Sequence, residues 1–529
     1  MWSSLSLPSL SAPKLRSANY SRCLVVAMIM MAFALRLYRL DHQSLWEDEV
    51  YTVLRGNMSL LNMLRSILRP FNHAPLYFTM MHYWQRLVGD SEFAVRFFSL
   101  GWGVLSVAAI FRLGAAIGGG ATGLISALLL AISPFHIWYS QEARMYALVT
   151  FFTLGANYFF VKILRGDDLR GWFGYAICTL LAIYTHYFAW LIPLSHFLSL
   201  FWHRRALKSV LLKWLIWIAA LVFVYLPWIA IVVLAGAQGA YGPNIGWIAP
   251  IRWIDPFLTL YVFGLGATAD LQFPLNYLSA LTLLAMLSLP VLQIFTDNES
   301  KLERELLVHW LFTPLLLVSM ISWGLSIQQH FSIYMDRYLI VISPAFLILV
   351  ASGLSSIAQS RKKLATVASI LILTSIAFSL YNLYLSPEYH REDWREVSRY
   401  LEEQALSSDV LIVDPDVHFI LTYYFPGKIH RKIVPFFSLA NNHRSYLLRE
   451  ASALTIQGGI KPTRLWLVSF FSNSADTHGF AYQRNAYIAE GCPFDRIKAW
   501  FDAHYPILQE RTFNGICLTL YDNEFRSDE

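Results

Sequence analysis

Apolar runs long enough to cross a bilayer recur from Cys23 to Tyr384, separated by short polar connections. They predict about eleven membrane spans, near residues 22–40, 92–112, 121–138, 143–164, 171–187, 188–203, 210–234, 274–296, 305–327, 338–358 and 363–384. The fifth and sixth are short and share a tight connection around His186. Two regions depart from this pattern. Between Asp41 and Asp90 the chain is too polar to span, yet Leu60, Leu61, Leu64, Ile67 and Leu68 repeat at helical spacing. Asn62, Arg65 and Arg69 fall elsewhere on that wheel, which predicts a helix lying in the interface plane. A second such helix runs from Pro75 to Val88, rich in aromatic residues and Met but carrying His82, Gln85 and Arg86.

After Leu385 the pattern changes again. Residues 392–405 read as an amphipathic helix, Val410 to Val413 as a buried strand, and 465–470 and 515–521 as further strands. Helix–strand alternation over about 140 residues suggests a small α/β domain with its own core. Asp414, Asp416 and His418 sit at the end of the first strand, where Asp-Pro chemistry favours a turn over a metal cluster. No internal repeat or low-complexity segment is present.

Composition fixes the class. Of 529 residues, 56% are hydrophobic and only 14% charged, with a mean hydropathy of +0.45. Those values describe a polytopic membrane protein. Many of the Trp residues lie near the ends of apolar runs, as an interfacial belt requires. The net charge of +6 is modest, and no nucleic-acid partner is expected from it. Its placement is more informative. Lys14, Arg16 and Arg22; Lys162, Arg165 and Arg170; Arg204, Arg205, Lys208 and Lys213; and Arg361, Lys362 and Lys363 all fall on one side if the N-terminus is cytoplasmic.

The expected organisation is therefore a cytoplasmic segment (1–21), a transmembrane domain (22–385) with a first external loop (41–90), and an extracytoplasmic α/β domain (386–529). The first apolar run reads as an uncleaved signal anchor in the cell (inner) membrane. Cys23 and Cys178 lie in spans as packing residues. Cys492 and Cys517 fall in the external region, as a disulfide or as two buried thiols. A long outer loop from Gly236 to Pro256 presents Tyr241, Trp247 and Trp253, which suit either sugar stacking or the interfacial belt.

The candidate chemistry starts just after the first span, where Glu47, Asp48 and Glu49 stand together. Acids are costly near hydrocarbon and repel one another, so packing explains them badly. Ser44 and Glu47 have the spacing of a capping box, which places Asp48 and Glu49 in a first helical turn. The helix dipole favours ionised carboxylates there. Other polar residues project from the same external side: His73; Glu142, Arg144 and Tyr146; His186; and Asp336, Arg337 and Tyr338. Arg144 and Arg337 lie where the positive-charge rule disfavours cations, which points to anion binding. Guanidinium suits a phosphate through paired hydrogen bonds.

The stretch from Leu45 through Thr52 resembles the acidic motif in the first external loop of glycosyltransferase family 39. Those enzymes have the GT-C fold, use polyprenyl-phosphate sugars, and are related to protein O-mannosyltransferases and lipid A aminoarabinose transferases. Residues 72–77, 89–96 and 133–146 are similar to its bacterial members, and the likeness returns at 336–338 and 392–395. Ala74 departs from the usual Pro there, which loosens a turn but removes no functional group.

The resemblance implies an inverting hexosyl or pentosyl transfer on the external face, in cell-envelope glycan, glycolipid or glycoprotein assembly. The donor would be a polyprenyl-phosphate-linked sugar, and the acceptor a glycan, lipid or protein hydroxyl. Asp48 would be the general base, and Glu49 would orient Asp48 or the acceptor. Arg337, Arg144 and His73 would stabilise the departing phosphate, with the remaining residues above lining the substrate site. No cofactor is required by that chemistry, since phosphate already leaves well. Metal dependence stays open: Asp48, His73 and Glu142 could make a divalent-metal site. The competing class is a transporter or flippase for a lipid-linked or anionic substrate. Transporters place charges near the midplane and show paired halves, whereas these charges gather at the outer ends of spans.

Overall fold

The computed structural model describes residues 12–68, 73–166, 169–235, 237, 248–270, 273–296, 301–413, 415–427, 429–433, 463–470 and 493–524. The chain is helical up to residue 404 and then acquires strands. The described helices, in order, are α1 (Ala12–Leu37), α2 (Glu47–Asn57), α3 (Leu60–Leu68), α4 (Pro75–Val88), α5 (Glu92–Ile132), α6 (Pro134–Ser140), α7 (Tyr146–Leu164), α8 (Leu169–Thr185), α9 (Leu191–Trp202), α10 (Lys208–Ala235), α11 (Asp255–Leu265), α12 (Pro274–Thr296), α13 (Lys301–Gln329), α14 (Ser343–Ser360), α15 (Lys362–Leu385), α16 (Trp394–Gln404), α17 (Pro415–Tyr424) and α18 (Pro493–His504).

Among the described residues, seven helical segments are long and apolar enough to cross a membrane. The sequence pattern predicts about eleven; the seven count α5 once and leave out α1, α8 and α9. Two expected spans, 92–112 and 121–138, lie in α5, which is two helices: the chain breaks at Gly119 (φ 82°), a backbone conformation that side chains resist, and turns back so that a Cβ at Gly114 would lie 3.1 Å from the Gly123 Cα. The two short spans fall on α8 and α9, joined through His186 and a single 3₁₀ turn, Tyr187–Trp190. Burial sorts the long segments. In Tyr338–Ser360, 83% of the apolar window is buried, so it runs through the core. For α10 the figure is 17%, as expected of a helix facing lipid.

Helices α3 and α4 form where the hydrophobic spacing places them, but α4 turns His82 and Gln85 inward and leaves Arg86 exposed. His82 Nδ1 pairs with the Gly56 carbonyl at 2.9 Å, and Gln85 Nε2 donates to the Val53 carbonyl at 3.2 Å. Exposed positions on this helix include Tyr83 and Leu87. The polar stripe of α4 thus braces α2. Gly56 permits the close approach, because a Cβ there would lie 1.5 Å from Gln85 Oε1.

Beyond α15 lies a five-stranded sheet: β1 (Val410–Val413), β2 (His430–Ile433), β3 (Arg464–Phe470), β4 (Ile507–Phe513) and β5 (Ile516–Asp522). Its order is β2-β1-β3-β5-β4. β1 pairs in parallel with β2 and β3, while β3–β5 and β5–β4 are antiparallel. The short, wholly apolar β1 is buried along its length, as parallel strands are. Helix α16, starting at Trp394 with Asp393 as its cap, matches the expected amphipathic helix. Pro415 opens α17; Asp414 lies outside the described residues, as do Tyr241, Trp247 and Cys492. Cys517 is buried on β5, with no disulfide partner among the described residues.

Candidate active site

Helix α2 carries the acidic triplet in its first turn, but not through a capping box. Trp46 is the N-cap and gives no side-chain bond; its carbonyl accepts from the backbone N–H of Glu49 and Val50. Ser44 faces the C-terminal region instead. Its hydroxyl donates to Asp393 at 3.4 Å and accepts from the Arg395 backbone N–H at 3.1 Å. A tertiary partner has displaced the local cap.

The two adjacent acids have different surroundings, as their divergence around the helix requires. Glu49 is fully buried. Arg96 grips both of its oxygens, at 2.8 and 2.7 Å, and Arg391 reaches Oε2 at 2.7 Å. The Ala143 backbone N–H donates to Oε1 at 2.8 Å. Burial alone pushes this carboxyl up, but the two guanidinium groups and their hydrogen bonds outweigh it and hold it below the usual range. Arg96 spends its remaining donors on the carbonyls of Leu40, Gln43 and Ser44. Glu49 is therefore the anchor of the loop.

Asp48 is partly open, with 22% of its side chain exposed. Its Oδ2 lies 3.5 Å from Arg144 and 3.8 Å from Arg337, both nearly buried. Arg144 also donates to the Asp48 carbonyl at 3.3 Å. Arg337 lies over the rings of Trp46 and Tyr338, 5.5 Å from each centroid. A third buried guanidinium, Arg55, stands over Tyr51 and Phe78 and interacts electrostatically with both Arg144 and Asp48. Three cations thus surround one carboxylate, and so much buried positive charge calls for an anion.

Imidazole and phenol groups adjoin this cluster. His73 is buried, and its Nδ1 makes no hydrogen bond among the described residues. Burial first, then Arg144, Arg55, His186 and Arg337, drive its pKa well below the ordinary value, so the ring is neutral. The His73 carbonyl accepts from Tyr187 at 3.0 Å. The His186 ring lies against Tyr146 and Tyr338, at 6.1 and 5.6 Å between centroids.

Two expected site residues are held elsewhere. Glu142 is buried and accepts from Trp138 Nε1 at 2.8 Å and from Arg391. It belongs with Glu49. Asp336 is bonded to Thr259, which also meets the Tyr334 hydroxyl at 2.6 Å. Among the described residues, no group of three or more His, Cys, Asp or Glu side chains is gathered that could hold a metal ion.

Comparison with known proteins bears on this arrangement. Residues 72–229 match the family model described as dolichyl-phosphate-mannose-protein mannosyltransferase. No curated protein sequence matches the chain. Among solved structures, apo ArnT from Cupriavidus metallidurans is similar at 11% identity, with a TM-score of 0.57 over 94% of this chain and 97% of that one. The same enzyme bound to undecaprenyl phosphate gives a TM-score of 0.55 at 11% identity and the same coverage. An oligosaccharyltransferase from Archaeoglobus fulgidus, tethered to an acceptor peptide, gives 0.53 at 12% identity over 96% and 74%. The fold is GT-C. The resemblance to glycosyltransferase family 39 seen in the sequence holds.

Within this GT-C chain, several structurally decisive residues were not singled out as site candidates from the sequence. Arg96 and Arg391 fix Glu49, Arg55 adds charge beside Asp48, and Trp46 contacts both Arg337 and Arg391. Arg96 had a visible signal, a lone cation four residues into a long apolar run. Arg391 had none, since it sits in a charged stretch that reads as solvent-exposed.

Proposed function

We propose that this chain is an integral-membrane inverting glycosyltransferase that moves a sugar from a polyprenyl-phosphate donor to an acceptor hydroxyl on the external face. The observation that carries this reading is the half-open Asp48 carboxylate set between the buried guanidinium groups of Arg144 and Arg337. A carboxylate with solvent access can take a proton. Fixed cations beside it can receive a leaving phosphate. The family match and the undecaprenyl phosphate bound by the structurally similar ArnT support the donor class.

In this mechanism the donor phosphate enters against Arg337 and Arg144, displacing the Asp48 oxygen from at least one of them. That exchange frees Asp48 to accept the acceptor's hydroxyl proton. The acceptor oxygen then forms its bond to the anomeric carbon as the carbon–oxygen bond to phosphate breaks on the opposite face. Configuration inverts, and the bonding electrons leave with the phosphate. Negative charge grows there, where the preorganised guanidinium groups lower the barrier. Neutral His73 is suited to donate a hydrogen bond rather than charge. Glu49 holds the helix that carries Asp48 and takes no proton itself.

The same reading places the N-terminus in the cytoplasm and the α/β region outside, following the distribution of Lys and Arg. Its test is transfer by purified protein from the lipid-linked sugar that accumulates in cells lacking it. Asp48→Asn should abolish transfer while polyprenyl phosphate still binds. Wild-type transfer by that variant would remove the base assignment.

A further inference from the structure

Arg391 lies between the last span and the α/β region, yet its side chain ends beside the catalytic helix. One guanidinium nitrogen reaches Glu49 of α2 at 2.7 Å, and another reaches Glu142, just before α7. Its charged head lies 4.9 Å from the Trp138 ring and 5.5 Å from the Trp46 ring. Trp46 also meets Arg337 at 5.5 Å. One indole is therefore shared by Arg391 and a cation of the Asp48 cluster.

The backbone of Arg391 is held from the α/β region. Asn514, in the β4–β5 turn, donates to the Arg391 carbonyl at 2.8 Å and to the His390 carbonyl at 3.2 Å. Its own carbonyl accepts from Asp393 N–H at 3.1 Å. Further bonds tie the same surface to the first external loop: Ser44 to Asp393, Leu45 N–H to the Tyr424 hydroxyl, and Glu92 to Arg395 and Tyr424. Asp48 therefore sits on a helix whose start is clamped by residues more than 340 positions away in the chain.

We propose that Arg391 is a positioning residue for the transfer, through which the C-terminal α/β region sets the placement of Asp48 and Arg337. Helix α2 has no side-chain cap of its own, and Arg391 links its Glu49 to Glu142 and Trp46. With Arg391 removed, Glu49 keeps Arg96, so the helix stays folded. Trp46 and Glu142 lose their common partner, and the Asp48–Arg337 spacing is no longer fixed. Misplacement of this kind lowers turnover more than binding, because it is alignment in the transition state that suffers. A sugar acceptor pressing on the α/β region would act through the same joint.

The inference rests on Asp48 as base, and the test separates the two. Arg391→Ala, Arg391→Lys and Asn514→Ala are compared in the full-length protein, well below the unfolding temperature, with Arg399→Ala as a surface control. The expected result is a fall in kcat of at least tenfold for Arg391→Ala, with donor Kd within threefold of wild type. Lys should recover part of kcat by restoring the charge, Asn514→Ala should lower kcat in the same sense, and Arg399→Ala should leave it unchanged. Combining Arg391→Ala with Arg337→Ala should give less than the product of the single effects on kcat, since both act on one alignment. Additive effects, or a loss confined to thermal stability, would overturn the proposal. If Asp48→Asn is inactive while Arg391→Ala turns over normally, the positioning role fails and the base survives. If Asp48→Asn is active, the underlying reading fails first.

Discussion

Replacing Asp48 with Asn should do two opposite things, and the geometry gives the size of each. Asn keeps the shape and cannot take a proton. A placed general base contributes roughly 10²–10⁴-fold, so kcat should fall by that factor, about 3–5 kcal/mol of barrier. Asn also removes the negative charge 3.5 Å from Arg144 and 3.8 Å from Arg337. At the dielectric of water each of those contacts is worth about 1 kcal/mol, and several-fold more in a partly buried site. The donor phosphate no longer competes with Asp48 for the guanidinium groups. Its affinity should therefore hold or rise, by roughly fivefold for each kcal/mol released. The assay is paired: single-turnover transfer for the chemical step, and displacement of a fluorescent polyprenyl phosphate for binding. Loss of turnover with unchanged or tighter donor binding is expected. A variant that turns over within threefold of wild type, or one that binds donor a hundredfold more weakly, would refute the reasoning.

Other outcomes follow from the same contacts. Arg337→Ala should weaken donor binding by roughly 10–150-fold, the worth of a charge-assisted hydrogen bond, with acceptor KM little changed; separate titration of each substrate checks it. Arg96→Met leaves Glu49 buried with only Arg391, and should cost about 3 kcal/mol of stability, seen as a lower unfolding temperature in detergent. Glu49 is held below its unfolded pKa, so it stabilises the fold above about pH 4.5, and that stability is lost as pH falls through the folded value. Melting curves across pH 3–6 should therefore show less acid sensitivity for Glu49→Gln, from a lower starting stability.

The membrane architecture was legible because bilayer hydrocarbon imposes a long, coarse pattern on sequence. Helices α3 and α4 and strand β1 fall where periodicity put them. Span number was less legible, because α8 and α9 are short and meet at a single tight turn. In the site, Asp48, Arg144 and Arg337 were legible as charges out of place at the outer ends of spans. The division of labour between Asp48 and Glu49 was only half visible. Helical geometry separates the two side chains, but which one is sealed depends on Arg96 and Arg391, which come from distant segments. The same holds for Ser44, where local spacing implied a cap and Asp393 and Arg395 took the hydroxyl instead. For Glu142, a polar residue at a span end looked available, while Trp138 and Arg391 had already engaged it.

In the proposed transfer the acceptor oxygen attacks opposite a departing phosphate, with Asp48 taking the proton. Proton NMR of the product, made by purified protein from its lipid-linked sugar, reads the anomeric configuration directly. Inversion relative to the donor is the expected result, and retention would contradict the account.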